Sequence, residues 1–273
     1  MVTQEQRRRQ LAREKFLRQQ QRRTAARRKA NVRNSVIASV LGVIVVGSVL
    51  SYATGVFKND DSKANASAEV TPSASPPSKA PDPCEKAAEG AVKSLTWKKE
   101  PAMTIDKSAK YDMKLATTCG DIDIALKTSA APHTVNSFNF LASEGYLDHT
   151  KCHRLTTNGI YVLQCGDPKG TGMGGPGYTI PDENLKDKTL KNNIYPAGTI
   201  AMANTGQAHT GGSQFFLVYQ DSQLPPSYTP FGTISASGMK VLKKIAGAGE
   251  ATGQGDGAPN ATVVINKATV TKS

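Results

Sequence analysis

The sequence predicts a mainly β domain over residues 110–273, carrying two helices and set behind one transmembrane helix and a disordered linker. Apolar and polar residues alternate on both sides of Thr118-Cys119-Gly120-Asp121: Tyr111, Met113 and Leu115 before it, Ile122, Ile124 and Leu126 after it. Period-two alternation around a turn marks a hairpin half-buried on a core. Residues 36–57 are a run of 22 without a charge. Residues 58–83 are mostly Ser, Ala, Pro and Asp, with too little apolar surface to fold.

Residues 1–34 come first in the chain. They hold twelve Lys and Arg against Glu5 and Glu14, so +10 of the total +12 lies here and the remainder is close to neutral. Basic arms bind phosphate. Directly ahead of an apolar span, however, such an arm reads as a topogenic flank that meets anionic lipid, and no nucleic-acid partner is expected. The span, residues 35–57, rises about 1.5 Å per residue and so crosses a hydrocarbon core of about 30 Å. Basic residues before it and Asp60-Asp61 after it put the N-terminus in the cytoplasm and the remainder outside the membrane. Ser51-Tyr52-Ala53 has the small-x-small pattern of a cleavage site, but the run exceeds the roughly 7–15 residues of a cleavable signal. An uncleaved single-pass anchor is the expectation. Residues 58–109 are the linker: Pro72, Pro76, Pro77, Pro81 and Pro83 keep its first part extended, while Trp97 and Met103 predict that its last part packs on the domain.

Within the domain, the hairpin is followed by a helix over residues 132–145. Pro132 suits a first turn, and Val135, Phe138, Leu141 and Ala142 fall on one face. A second, shorter helix is expected over 238–245, with Met239, Leu242 and Ile245 at i, i+3 and i+6, and a last strand over 262–270. Gly170-Thr-Gly-Met-Gly-Gly175 fits the dinucleotide pattern G-x-G-x-x-G, but Pro176 and Gly177 stand where a helix should begin and no βαβ unit surrounds it. It reads as a loop on the rim of a groove. From Thr199 a small apolar run opens into a loop bearing Asn204, Gly206, Gly211 and Gly212, then closes on Gln214-Phe215-Phe216. Exposed peptide groups beside an aromatic strand suit the binding of another peptide chain.

Four short stretches sharpen this. Cys152-His153-Arg154-Leu155, Leu163-Gln164-Cys165-Gly166-Asp167, Met202-Ala203-Asn204 and Gly212-Ser213-Gln214-Phe215-Phe216 closely resemble, in order and spacing, the signatures of the cyclophilins. The resemblance runs from about Tyr111 to the C-terminus. It implies a closed eight-stranded antiparallel barrel capped by two helices, and peptidyl-prolyl cis-trans isomerase activity. That reaction needs no cofactor and no metal. Its barrier of roughly 18–20 kcal/mol comes from delocalisation of the nitrogen lone pair. An enzyme lowers it with a dry pocket for the proline ring and a donor that bonds best to the twisted amide. The resemblance makes Arg154 that donor, and the only charged one in the site. Gln164 orients it, and the main chain of Asn204 clamps the residue before proline. Gln214 is a further polar member. Phe216, Tyr161, Val162, Ala203, Leu224 and Tyr228 line the proline pocket. Two departures bear on the site. Arg154 and Gln164 are ten residues apart where the common pattern has eight, and Gln223 and Tyr228 stand where many relatives carry Trp and His. Loss of the Trp predicts weak inhibition by cyclosporin, a ligand of many relatives.

All four cysteines lie beyond the apolar span, and an even number in an oxidising compartment predicts disulfides, for which three connectivities are open. Cys152 and Cys165 flank one hairpin and are the predicted pair, leaving Cys84 with Cys119. No two cysteines have Cys-x-x-Cys spacing, which argues against zinc. The expected partners are proline-containing segments of exported or unfolded proteins, engaged by a monomer. A binding module that holds such segments without turnover is the competing class.

Overall fold

The computed structural model describes residues 81–273. The expected basic segment, the transmembrane span and the first part of the linker lie outside the described residues. Among those described, no helix is long and apolar enough to cross a membrane.

Strands β1 (Tyr111–Thr117) and β2 (Gly120–Leu126) make the expected hairpin, with Tyr111 opposite Leu126 and Thr117 opposite Gly120. Met113, Leu115, Ile122 and Ile124 point inward and are buried, as alternation requires. Helix α1 (Pro132–Ser143) buries Val135, Phe138, Leu141 and Ala142. The Phe138 ring stacks on Phe231 at 4.8 Å and meets Phe215 edge-on at 5.5 Å. Ala131 offers the helix no side-chain cap. Glu183, distant in sequence, serves instead: its carboxylate accepts from the N–H groups of His133 and Thr134 at 3.0 and 2.9 Å, where the helix dipole favours negative charge.

The chain continues through β3 (Thr150–Lys151), β4 (Arg154–Thr156), β5 (Val162–Cys165), β6 (Ile194–Tyr195), β7 (Thr199–Met202), β8 (Phe215–Val218), β9 (Ser222–Gln223) and β10 (Pro230–Ile234). Helix α2 (Ala236–Gly247) follows, capped by Ser235, whose hydroxyl accepts from the Gly238 N–H at 3.1 Å. Strands β11 (Asp256–Gly257) and β12 (Val264–Lys272) complete the domain. Ten strands join in one curled antiparallel sheet, in the order β11-β4-β5-β8-β7-β10-β2-β1-β12-β3, and β6 pairs separately with β9.

A closed barrel of eight strands is more than this ladder shows. The sheet has ten strands, with β11 and β3 at its ends. Two local features account for the count. β3 and β4 are one run of chain bent at Cys152-His153, where the partner changes: the Cys152 N–H donates to Val263 and the His153 N–H to Gln164, both at 3.0 Å. β11 is a two-residue pairing contributed by the loop after α2.

The segment ahead of β1 is laid over the domain, as Trp97 and Met103 predict. Cys84 is bonded to Cys119, and the Glu85 N–H donates to the Thr118 carbonyl at 2.8 Å. The Trp97 ring packs against Phe140 at 5.0 Å and Tyr146 at 5.6 Å. The Thr104 N–H donates to Asn136 Oδ1 in α1 at 2.9 Å. The second disulfide joins Cys152 to Cys165, with Cα atoms 4.1 Å apart, so both cysteine pairs form as expected.

Candidate active site

Strand register assembles the site. Arg154 faces Gln164 across β4 and β5, Gln164 faces Phe216 across β5 and β8, and Phe216 faces Ala201 across β8 and β7. Opposed residues of an antiparallel ladder share a face, so these four form one row. Val162 opposite Val218 makes the next row on the same face. The intervening residues, Leu155, Leu163, Leu217 and Ile200, turn to the other face and are buried in the main core. The longer spacing between Arg154 and Gln164 is absorbed in the turn, where Asn158 bridges Ile160 and Gly159 takes φ +75°. The Val162 N–H donates to Thr156 Oγ1 at 3.0 Å and restores the pairing.

The polar part of the row is a relay of hydrogen bonds. Arg154 Nη1 donates to Gln164 Oε1 at 3.2 Å, Gln164 Nε2 to Gln214 Oε1 at 2.8 Å, and Gln214 Nε2 to the Gly174 carbonyl at 2.9 Å. Asp256, from β11, grips the guanidinium in a fork: Nε donates to Oδ1 at 2.7 Å and Nη2 to Oδ2 at 2.8 Å. These bonds hold the Asp256 carboxyl below its ordinary pKa and Arg154 above its own, burial opposing both shifts. The pair is half exposed, so its worth lies in aim more than in stability. Three of the five guanidinium N–H groups are thereby used, and two stay available to a ligand. Asn204 is held by its side chain: Nδ2 donates to the Ser227 carbonyl at 2.8 Å, and Oδ1 accepts from the Gly206 N–H at 2.9 Å. Its own peptide N–H and carbonyl make no hydrogen bond among the described residues.

The apolar part is a cluster separate from the main core. Val162, Tyr195, Ala201, Phe216 and Val218 are buried in it, and Ala203, Leu224 and Tyr228 are half-buried around it. Tyr228 meets the Phe216 ring edge-on at 5.4 Å. Tyr161, assigned to this pocket from the sequence, is not there. Its ring packs edge-on to Tyr219 at 5.9 Å, on the main-core side. Tyr161 lies just ahead of β5, where its N–H donates to Ser222 Oγ at 2.8 Å and its carbonyl accepts from the Tyr219 N–H at 3.1 Å.

Tyr195 was missed from sequence and forms the pocket floor. Its hydroxyl donates to the Tyr228 carbonyl at 2.8 Å and accepts from the Tyr228 N–H at 3.2 Å. Burial pushes its pKa up to about 12, the bond to Tyr228 opposing. A phenol whose folded pKa is raised contributes stability that is complete below the unfolded value of about 10 and is lost as pH rises through the folded one. Burial pushes Tyr178 up to about 12 as well, so ultraviolet titration should show two phenols ionising near pH 12, of which Tyr195→Phe leaves one. If that variant keeps the same late-titrating population, Tyr195 is less enclosed than described.

A groove of about 970 Å³ adjoins the row, lined by Gln164, Ala203, Asn204 and Gln214 on one side and by the 172–179 loop on the other. The G-x-G-x-x-G stretch is thus a groove wall. Buried Asp167 shapes it, accepting from the N–H groups of Thr171 and Gly172 at 2.9 and 2.7 Å. Burial would raise the Asp167 pKa, but the backbone N–H groups of Gly174, Lys169 and Thr171, with the Thr171 hydroxyl, outweigh it and keep the carboxylate low. Lys98, Lys99 and Lys169 also line this groove, which Gln164 shares with the row that carries Arg154.

Comparison with known proteins now bears on this geometry. Residues 112–270 match the family model described as "Cyclophilin type peptidyl-prolyl cis-trans isomerase/CLD". The chain belongs to the cyclophilin family. It is 50% identical over 165 residues to the "Probable peptidyl-prolyl cis-trans isomerase B" of Mycobacterium leprae, covering 58% of this chain and 56% of that protein. The match to the protein of that name from Mycobacterium tuberculosis H37Rv is also 50%, covering 58% and 53%. The chain thus spans about half the length of these relatives. A shorter relative, "Peptidyl-prolyl cis-trans isomerase B" of Bacillus subtilis, is 40% identical over 125 residues, 82% of its length. Among solved structures, the cyclophilin of Cryptosporidium parvum in the presence of the dipeptide Ala-Pro superposes with a TM-score of 0.50 at 27% identity, covering 59% of this chain and 99% of that one. In the cyclophilin scaffold described here, the strap bearing Lys98 and Lys99 lies outside the matched residues.

Proposed function

We propose that this cyclophilin is a peptidyl-prolyl cis-trans isomerase tethered outside the cytoplasmic membrane, acting on proline-containing segments of exported or unfolded proteins. One observation carries the catalytic reading: Arg154, with two free N–H groups, stands in one sheet row with Phe216, the centre of a separate apolar pocket. The proline ring enters the pocket of Phe216, Val162, Leu224 and Tyr228. The open peptide groups of Asn204 pair with the main chain of the preceding residue. As the prolyl amide twists, its nitrogen lone pair localises, and the Arg154 guanidinium donates to it. Gln164 and Asp256 fix the direction of that donor beforehand, so little reorganisation is needed at the transition state. A coupled-protease assay on a Xaa-Pro peptide tests this, and the cis fraction should be consumed faster in proportion to added protein.

The grip of Asp256 on Arg154 also favours a second reading, in which the groove holds proline segments without turnover. Peptide binding with no acceleration of isomerisation is the result that selects it.

The location rests on different grounds. Both cysteine pairs are bridged, which suits an oxidising compartment, and residues 36–57 have the length and composition of an anchor. Protease added to intact cells should digest the domain; a protected domain would place it in the cytoplasm.

Gln223 pairs with Ile194 beside Tyr195 and is exposed at the pocket edge. Without a broad apolar side chain there, cyclosporin loses several tens of Å² of contact, or about 1–2 kcal/mol. Inhibition should be roughly tenfold weaker than in Gln223→Trp. Equal inhibition of the two forms would show that this wall does not touch the ligand.

A further inference from the structure

We infer that Lys98 and Lys99, on the strap ahead of β1, make this groove select peptides with an acidic side chain two or three residues before the proline. The inference rests on the peptide-binding reading of the site and adds to it a charge preference set from outside the family domain.

The strap is fixed where it meets the groove. The Trp97 N–H donates to the Pro176 carbonyl at 2.8 Å, which joins strap and groove wall by a backbone bond. Gly177 permits the approach: it takes φ +89°, and a Cβ there would stand 2.6 Å from the Trp97 carbonyl oxygen. Behind it Trp97 is wedged among Phe140, Tyr146 and Tyr178. Just ahead, Glu100 Oε1 is 2.7 Å from His133 Nδ1 at the start of α1. Lys98 and Lys99 lie between these two anchors and both line the groove.

The charge balance of the lining is one-sided. Lys98, Lys99 and Lys169 stand against Glu100 alone, and Glu100 is engaged with His133. None of the three lysines makes an ion pair or a side-chain hydrogen bond among the described residues. Three unpaired ammonium groups around one concave surface attract a carboxylate, which the polar but uncharged remainder of the lining does not repel.

Direction follows from the site. The proline ring belongs in the Phe216 pocket and the residue before it at Asn204. The groove extends from Asn204 toward the strap, so the lysines meet what lies further upstream. A carboxylate there is reached by flexible side chains in a solvated setting, and the gain is accordingly modest and salt-dependent.

The test uses the full chain and blocked peptides of the form Xaa-Ala-Pro-Phe and Xaa-Ala-Ala-Pro-Phe, with Xaa Glu, Gln or Lys. Binding is measured by fluorescence anisotropy and turnover by the coupled assay. The expected order of affinity is Glu, then Gln, then Lys, with about three- to tenfold between the ends at low salt and less at high salt. Lys98→Glu/Lys99→Glu should invert that order, and Lys98→Ala/Lys99→Ala should flatten it, while Arg154 and the pocket are untouched. Equal affinity for the three peptides, an order the strap variants leave unchanged, or no binding of any of them overturns the inference. Binding in the expected order without turnover upholds it and removes the isomerase reading instead. Turnover without a charge order does the reverse.

Discussion

Arg154→Ala should lower kcat/KM on a Xaa-Pro peptide by about 10²–10³-fold, the cost of removing one donor aimed at developing charge, with the fold intact. The loss is large because nothing beside Arg154 in the sheet row replaces it. Gln164 and Gln214 are committed to each other and to Gly174, and the groove lysines serve the upstream side. Structural damage should be small, because the side chain is about a third exposed and its partner Asp256 more so. Removing it leaves a carboxylate in water, which costs little. Arg154→Lys should recover little, since an ammonium cannot keep the Asp256 fork, the Gln164 bond and a free donor in one plane. A thermal melt beside the assay checks the account. Near-normal turnover in Arg154→Ala would remove this residue from the mechanism.

Phe216→Ala should damage both stability and binding. The ring is 5% exposed and packs against Tyr195 and Tyr228 at 6.3 and 5.4 Å. Truncating a buried Phe costs about 3–5 kcal/mol, which for a domain of this size is a fall in Tm on the order of 10 °C. KM should rise beyond measurable range because the wall of the proline pocket is gone. Phe216→Leu separates the two effects: it keeps most of the apolar volume, so it should melt within a few degrees of the unaltered protein and still bind poorly. A Phe216→Leu variant with unchanged KM would mean the proline ring lies elsewhere.

The elements legible in the sequence are those whose cause is local. Alternation around Gly120 predicts the first hairpin, and the spacing of Val135, Phe138 and Leu141 predicts α1. The Cys152–Cys165 bridge follows from two cysteines flanking one hairpin. Most of the site was legible for a different reason: its residues fall in four short motifs that resemble a family. Tyr161, just outside β5, packs on Tyr219 and the main core through tertiary contacts that no local pattern carries. The rest depends on contacts of the same kind. Asp256 reaches Arg154 across 102 residues through a two-residue strand. Glu183 caps α1 from 50 residues downstream of His133. The strap lysines become groove residues only because Trp97 is pinned to Pro176. The strand count escaped prediction for the same reason, as the break at Cys152-His153 reflects a change of partner from β12 to β5.

The central claim is that one row of the sheet, from Arg154 to Phe216, catalyses rotation about a prolyl bond. Exchange spectroscopy by nuclear magnetic resonance on a Xaa-Pro peptide tests it most directly, because it reads cis-trans interconversion at equilibrium with no protease present. With a catalytic amount of the full chain, cross-peaks between the cis and trans forms should appear within a second, where the uncatalysed reaction takes tens to hundreds of seconds. The same amount of Arg154→Ala should leave them absent. Cross-peaks of equal strength with both proteins, or none with the unaltered chain despite bound peptide, would contradict the account.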